Sequence, residues 1–307
     1  MPEYTFEKII NHKDEIDNWF KLFDACFGVR ESLDTNWYYW SHVNYRENNT
    51  FVVRDEDSGD IMASYSLYPV KIKYKSNLRD GYLCHNVMTH PSMAGRGLFT
   101  ELGRYALSNM PKDSIFLGVP NEKAIRGHLK VGWREYPNIP FYIKRNFNHQ
   151  SEVNKDVVKI DKFDFSNDDI NKFNNSYDFC LYKDSKCLNW RYVDRPDMEY
   201  MCYKLLDNSG FIVLKHYNTK LHIMDYGFAN KKSFVKLLKF TENKALELNC
   251  DIIEFWCYSR TDQDVLNQLG FGKSDQLHNR LILSANPLID LNLNNNWKLV
   301  LGDNDVY

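Results

Sequence analysis

The chain has 307 residues, 43% of them apolar and 26% charged, with a formal net charge of −2. That length exceeds what a single core usually holds and so predicts two domains, while the composition excludes disorder on a large scale. The near-neutral balance, without a long basic cluster, excludes a general electrostatic pull toward nucleic acid or an anionic membrane. Met1 to Glu7 lacks the basic and apolar regions of a signal peptide, and no run approaches about 18 uninterrupted apolar residues, so a cytoplasmic location is expected. Seven cysteines without Cys-x-x-Cys spacing suggest neither a zinc site nor a disulfide framework, and no metal is expected.

From the amino end, Ile16, Trp19, Phe20, Phe23 and Cys26 recur at helical spacing and predict a helix over 14–26. A short aromatic helix over 36–40 follows, then strands 50–54 and 61–74 around the turn Asp57-Ser58-Gly59-Asp60. Next come strand 81–90, helix 97–110, strand 114–119, helix 121–131 and strand 133–147. Residues 148–170 are polar and read as a linker.

The most informative stretch runs from Cys84 to Phe99. Pro91 ends the strand, since proline cannot donate to a ladder. Gly95 and Gly97 lack a Cβ and let the backbone amides between Met93 and Phe99 approach a ligand. Leu98, Leu102, Tyr105 and Ala106 then carry a helix whose first amides point back into the turn. Free N–H groups and the positive helix end favour a phosphate or pyrophosphate there, although an ordinary strand-to-helix turn has the same shape. The stretch lacks the Gly-Lys-Ser/Thr ending of a P-loop and the third glycine of the dinucleotide fingerprint.

What the stretch Ser92-Met93-Ala94-Gly95-Arg96-Gly97 resembles is motif A of the GNAT superfamily of acyl-CoA-dependent N-acyltransferases, with Ser92 in place of the usual Gln or Arg. Downstream, Asn121-Glu122-Lys123-Ala124 with His128-Leu129-Lys130-Val131-Gly132-Trp133 resembles motif B, with His128 at the usual tyrosine position. The resemblance implies acyl-CoA as co-substrate. Val87, Met88 and Thr89 would lie along the thioester and pantetheine, and Ala94, Gly95, Arg96, Gly97, Leu98 and Phe99 around the pyrophosphate. Asn121 would bind pantetheine or simply cap a helix. It also implies direct amine attack on the thioester. His85 or Asn86 would act as base or water holder, and His128 as the proton donor to the leaving thiolate. An ordinary strand histidine at 85 and a surface helix histidine at 128 are the competing readings. His90 reads as structural.

The second half repeats the first. Trp190 and Ser209-Gly210 echo Trp40 and Ser58-Gly59, and strand 221–228, helix 231–248, strand 251–258 and helix 261–269 lead to Leu269-Gly270-Phe271, the counterpart of Val131-Gly132-Trp133. Phe228 to Ser233 has no glycine pair, so a second pyrophosphate site is not expected. The fold class expected is α/β with mixed (α+β) sheets: two tandem GNAT-like domains, each a mixed central sheet flanked by helices. Residues 1–150 would bind acyl-CoA and 151–307 would form a degenerate copy that is either scaffold or a wall for the acceptor at a domain interface. Asp225, Tyr226, Tyr258 and Arg260 are the candidate acceptor contacts, Arg260 also reading as a plain surface arginine. The tandem layout and the tail from Asn296 to Asp305 resemble GNAT proteins of bacterial surface-polysaccharide clusters, which implies a dTDP- or UDP-linked amino sugar as acceptor and an acetyl or short hydroxyacyl group as the transferred unit. Another small amine as acceptor, or a noncatalytic acyl-CoA binder, are the alternatives. A monomer or weak dimer is expected.

Overall fold

The computed structural model describes residues 3–148, 153–279, 282–285 and 296–304. Met1, Pro2, part of the expected linker (149–152) and Asp305 of the tail lie outside them. In chain order the first elements are β1 (Tyr4–Lys8), α1 (His12–Phe27), α2 (Thr35–Tyr39), β2 (Asn49–Asp55), β3 (Ile61–Tyr74), β4 (Asn77–Thr89), α3 (Leu98–Ser108), β5 (Ile115–Gly118) and α4 (Glu122–Val131). Apart from β1, which was not expected, they follow the expected order. A π-helical turn, Trp40–Asn44, continues α2. Polar caps start these helices. Asp34 Oδ1 accepts from Trp37 N at 3.0 Å, and Asn121 Oδ1 from Ala124 N at 3.0 Å, each satisfying a donor that the helix cannot.

The chain continues as β6 (Arg134–Glu135), β7 (Ile139–Lys144), β8 (Val157–Lys159), α5 (Asn167–Asn174), β9 (Phe179–Tyr182), α6 (Ser185–Tyr192), β10 (Met201–Leu205), β11 (Gly210–Tyr217), β12 (Lys220–Phe228), α7 (Lys231–Glu247), β13 (Ile252–Trp256), α8 (Arg260–Gln268), β14 (Gly272–Asn279), β15 (Ile282–Ala285) and β16 (Trp297–Lys298). The expected linker is partly structured. β8 pairs with β10, Phe163 and Phe165 are buried, and Ser166 with Asp169 forms the capping box that starts α5.

Two compact units result. One gathers Met1–Lys71, Arg79–Pro137 and Arg280–Ile289; the other gathers Ile72–Leu78, Asn138–Asn279 and Asp290–Tyr307. Besides the short excursion at 72–78, the main division therefore falls at 137/138 and not at 150. The expected strand 133–147 is two strands, separated around Pro137, which lacks the N–H that a continuous ladder needs. β6 stays with the first unit, whereas β7 enters the second, between β13 and β14. The exchange is mutual. β15 returns to the first unit and lies antiparallel between β5 and β6. The first unit's sheet thus runs β1-β2-β3-β4-β5-β15-β6, and the second's β14-β7-β13-β12-β11-β10-β8; the short parallel pair β9/β16 branches from β3 of the former, through β9.

In the first unit one sheet face, with Phe51, Val53, Ala63, Tyr65 and Leu67, packs on Leu98, Leu102 and Ala106 of α3. Elsewhere in this unit α1 and α2 meet through Trp19, whose ring stacks on Phe23 at 5.2 Å and meets Tyr38 and His42 edge-on. In the second unit α7 buries Phe234, Leu237, Leu238 and Phe240 against β10 to β13.

Candidate active site

β4 and β5 are parallel neighbours only through Gly81/Ile115, Tyr82/Phe116 and Leu83/Leu117. β4 then continues for six residues, 84–89, without a partner in β5. A strand that leaves its neighbour this way exposes a row of ladder groups to whatever enters between them. Asn86 sits in that stretch with φ of +47°. Asparagine tolerates this left-handed geometry better than most residues, and a single such residue breaks the alternation of a strand. Accordingly Tyr82, Cys84 and Val87 all pack on the α3 face, a spacing of two and then three. His85 faces the other way.

The turn after β4 has the form read from sequence. Gly95 and Gly97 have φ of +78° and +86°, and Gly97 precedes α3 without a side-chain cap. The amides of Met93, Ala94, Arg96, Thr100 and Glu101 are used within the turn, whereas no hydrogen bond of the described residues uses those of Gly95, Gly97, Leu98 or Phe99. Four free donors at a helix start suit an anion. The side chains of Leu98 and Phe99 point inward: Leu98 is buried, and a Cβ on Gly127 would fall within 2.4 Å of the Phe99 ring. Only their backbones remain for a ligand. Arg96 is exposed on the same turn, and Ala94 beside it. Ser92 Oγ lies 2.7 Å from His90 Nδ1, which also accepts from Ser92 N, so His90 caps the turn. Asn121 caps α4 just past the end of β5.

Two polar groups flank the part of β4 that has left β5. On the α3 face, Tyr65 OH lies 3.1 Å from His128 Nδ1 and is also hydrogen-bonded to Cys84. His128 is only 3% exposed and packs against Phe99 and Trp133, so it is not a surface histidine. Burial lowers its pKa to about 4 and makes it neutral at physiological pH. Burial likewise keeps the Tyr65 hydroxyl protonated. On the opposite face His85 Nε2 lies 2.9 Å from Asn48 Nδ2, with the Tyr68 and His42 rings at 5.9 and 6.0 Å. Asn48, His42, Tyr65 and Tyr68 were not legible as site residues. They come from elements 17–43 positions earlier than His85, and no local motif marks them.

In the second unit β12 and β13 repeat the geometry. They pair through Lys220/Ile252, Leu221/Ile253 and His222/Glu254, and β12 then runs six residues further without a partner in β13. Here the chain's own side chains occupy that stretch. Asp225 is 1% exposed and receives Lys183 Nζ at 2.7 Å and Tyr192 OH at 3.0 Å. Burial acts to raise its pKa, but Lys183 and Lys298 outweigh it and hold the carboxylate below the usual range. Tyr226 OH and Tyr177 OH both donate to Asp262 Oδ2, at 2.9 and 2.8 Å, and Lys298 Nζ donates to Tyr226 O. Asp225 and Tyr226 were expected to face an acceptor. The structure corrects this, since both are enclosed and hydrogen-bonded inside the second unit. Tyr258 is half-buried with its ring stacked on Trp297, and Arg260 is exposed at the start of α8. Among the described residues no cluster of His, Cys, Asp and Glu could hold a metal ion, and no helix is long and apolar enough to cross a membrane.

Residues 10–134 match the family model of the acetyltransferase (GNAT) domain. No curated protein matches the chain in sequence. Among solved structures, the chain is similar to an Enterococcus faecalis protein described as a probable N-acyltransferase, with a TM-score of 0.68 and 8% identity over 93% of this chain and 73% of that one. It is also similar to a GCN5-related N-acetyltransferase from Kribbella flavida, with a TM-score of 0.66 and 15% identity over 92% and 71%. A third likeness is to Saccharomyces cerevisiae N-myristoyltransferase with bound myristoyl-CoA, with a TM-score of 0.56 and 11% identity over 92% and 83%. At these identities the likeness establishes the shared fold.

Proposed function

From a GNAT acetyltransferase domain over residues 10–134, the type that uses acyl-CoA to acylate amines, we propose that the chain transfers an acetyl or short hydroxyacyl group from CoA to the amino group of a dTDP- or UDP-linked amino sugar. The observation that carries the donor half is the parting of β4 from β5 after Leu83 and Leu117, together with the free amides of Gly95, Gly97, Leu98 and Phe99 at the start of α3. In this reading the pyrophosphate lies on the turn and the pantetheine beside 84–89. Asn121 borders the same stretch. The amine nitrogen attacks the thioester carbonyl, the C–S bond breaks, CoA leaves as thiolate and the amine loses one proton. Backbone donors near Val87 and Met88 stabilise the developing oxyanion, and holding both reactants in line supplies much of the rate.

His128, neutral and buried, is a poor source of a proton at neutral pH. Its role here is to fix Tyr65, whose hydroxyl stays protonated and borders the same strand. The acceptor half rests on the resemblance of the tandem layout and on Arg260, an exposed guanidinium suited to a diphosphate. The test is release of free CoA from acetyl-CoA and hydroxyacyl-CoA, followed with a thiol reagent against dTDP- and UDP-amino sugars, amino acids, polyamines and aminoglycosides. Amine-dependent release, fastest with a nucleotide-linked amino sugar, is expected. Saturable acyl-CoA binding without release for any amine would contradict catalysis, and release favouring a simple amine would contradict the sugar.

A further inference from the structure

Each of the helices α3 and α4 carries a glycine in its interior, Gly103 and Gly127, where alanine is the better helix former. Packing accounts for both. A Cβ on Gly127 would fall 2.4, 2.6 and 3.0 Å from three atoms of the Phe99 ring, and one on Gly103 would fall 2.6 and 3.2 Å from the Val131 methyls. Phe99 and Gly103 are four residues apart on α3, as Gly127 and Val131 are on α4, so each pair shares one helix face. The contacts are therefore reciprocal. Phe99 of α3 lies over a glycine of α4, and one turn further on Val131 of α4 lies over a glycine of α3. Sliding one helix along the other would bring each bulky side chain against residues that carry a Cβ, so the two steps fix the register of α3 on α4.

Phe99 is also one of the four residues whose amides are free at the glycine turn. Its ring is met edge-on by His128, with centroids 5.0 Å apart, and by Tyr65 at 6.2 Å. We infer that Gly127 is a positioning residue for the donor: by admitting the Phe99 ring against α4, it sets the Leu98 and Phe99 amides where the pyrophosphate is held. The inference rests on the acyl-CoA reading of that turn, and adds that α4 governs how well the turn grips its anion. Geometry decides the size of the effect. A ring 2.4 Å from a Cβ must retreat by about 1 Å to reach ordinary contact. With His128 and Tyr65 on its other sides the ring has no room to swing away, so the first turn of α3 moves with it. A hydrogen bond from N–H to oxygen is made at about 2.7–3.2 Å and does not survive a displacement of that size. A methyl group on Gly127 is thus felt by a ligand held through the amide of another residue.

Two donors separate this role from packing alone. Acetyl-CoA carries the pyrophosphate, whereas S-acetylpantetheine has the same thioester and arm without it. In the full-length protein, Gly127→Ala should weaken acetyl-CoA binding by at least about tenfold, the scale of one lost charge-assisted bond, and leave S-acetylpantetheine binding unchanged. Phe99→Leu, which loosens the seat of the ring without overfilling it, should weaken acetyl-CoA selectively as well, and it keeps the test open where Gly127→Ala does not fold. Placed in the Gly127→Ala background, Phe99→Leu should recover part of the loss, a coupling that independent packing defects do not show. Failure of the unaltered chain to bind acetyl-CoA would remove the donor site itself. With acetyl-CoA bound by the unaltered chain, an unchanged affinity in the folded variants, equal losses for the two donors, or simply additive losses in the double variant would each overturn the role of Gly127.

Discussion

Leu83 and Leu117 are the last residues at which β4 and β5 stand opposite each other, and His222 and Glu254 play the same part for β12 and β13. Each pair of parallel strands is three residues long, and each first strand then runs six residues past that partner. The two halves share a backbone device and differ in what meets it. In the first unit the device ends at a glycine turn with free amides; in the second, Lys183, Lys298, Tyr177 and Asp262 close around it.

The closed copy makes a stability prediction. Lys183 bridges Asp225 at 2.7 Å and Asp303 at 2.5 Å, all three enclosed. Lys183→Met strands two buried carboxylates, and breaking such an arrangement costs about 3–5 kcal/mol. Urea unfolding should show that loss in the transition of the second unit. Acetyl-CoA affinity of the folded variant should not change; a lower affinity would mean that the second unit helps hold the donor.

Asn86 separates a side-chain role from a backbone one. Gly adopts a φ of +47° freely, whereas a β-branched residue is strained there by about 1–3 kcal/mol. Asn86→Gly should keep turnover within a few-fold, while Asn86→Val should lose both stability and turnover. Equal, large losses of turnover in two folded variants would show that the amide side chain itself takes part.

Acid stability follows from the buried histidines. His128 has a pKa of about 4 in the folded chain against 6.5 unfolded, so the unfolded state binds its proton first as pH falls. Its stabilising contribution is complete above pH 6.5 and is lost between 6.5 and about 4, up to about 3 kcal/mol. His222, also lowered to about 4 by burial, and His42, held well below the usual histidine range by burial and by neighbouring His85 and His12, act in the same direction. Denaturant midpoints measured across this range should fall toward acid, and His128→Phe should flatten the curve by its share. A curve unchanged by the substitution would place His128 in solvent.

Much of this architecture was legible because it is local. Helical spacing, proline stops and the Gly95/Gly97 turn depend on neighbours in sequence, and the observed elements sit within a few residues of those expected. The exchanged strands were not. β15 is four residues long and pairs with β5 across some 165 positions, a partnership no window of sequence contains. His128 misled for a related reason. Charged residues surround it on α4, yet it shares the buried side of that helix with Ile125, three positions earlier. The buried lysines of the second unit were illegible too, since Lys183 and Lys298 become core residues only through carboxylates and carbonyls brought from β12 and the turn after β16.

Arg260 tests the acceptor. If it contacts a diphosphate, Arg260→Ala should raise the KM for a nucleotide-linked sugar roughly tenfold, the low end for a charge-assisted bond because the guanidinium is exposed, and leave kcat near its original value. A simple amine should not respond. An altered acyl-CoA affinity would reverse the division between the halves.

Binding of acyl-CoA at the glycine turn of the first unit is tested most directly by the affinity of Gly95→Asp for acetyl-CoA. Aspartate tolerates positive φ better than most residues, and a Cβ at Gly95 meets nothing within 4 Å, so the fold should survive, as thermal unfolding can verify. Its carboxylate would stand among the free amides and repel a pyrophosphate. Titration calorimetry should show acetyl-CoA bound by the unaltered chain and at least about a tenfold loss in the variant, the scale of about 1.4 kcal/mol that one opposed charge at a partly screened site readily supplies. An unchanged affinity in a folded Gly95→Asp protein would place the donor elsewhere and contradict the account.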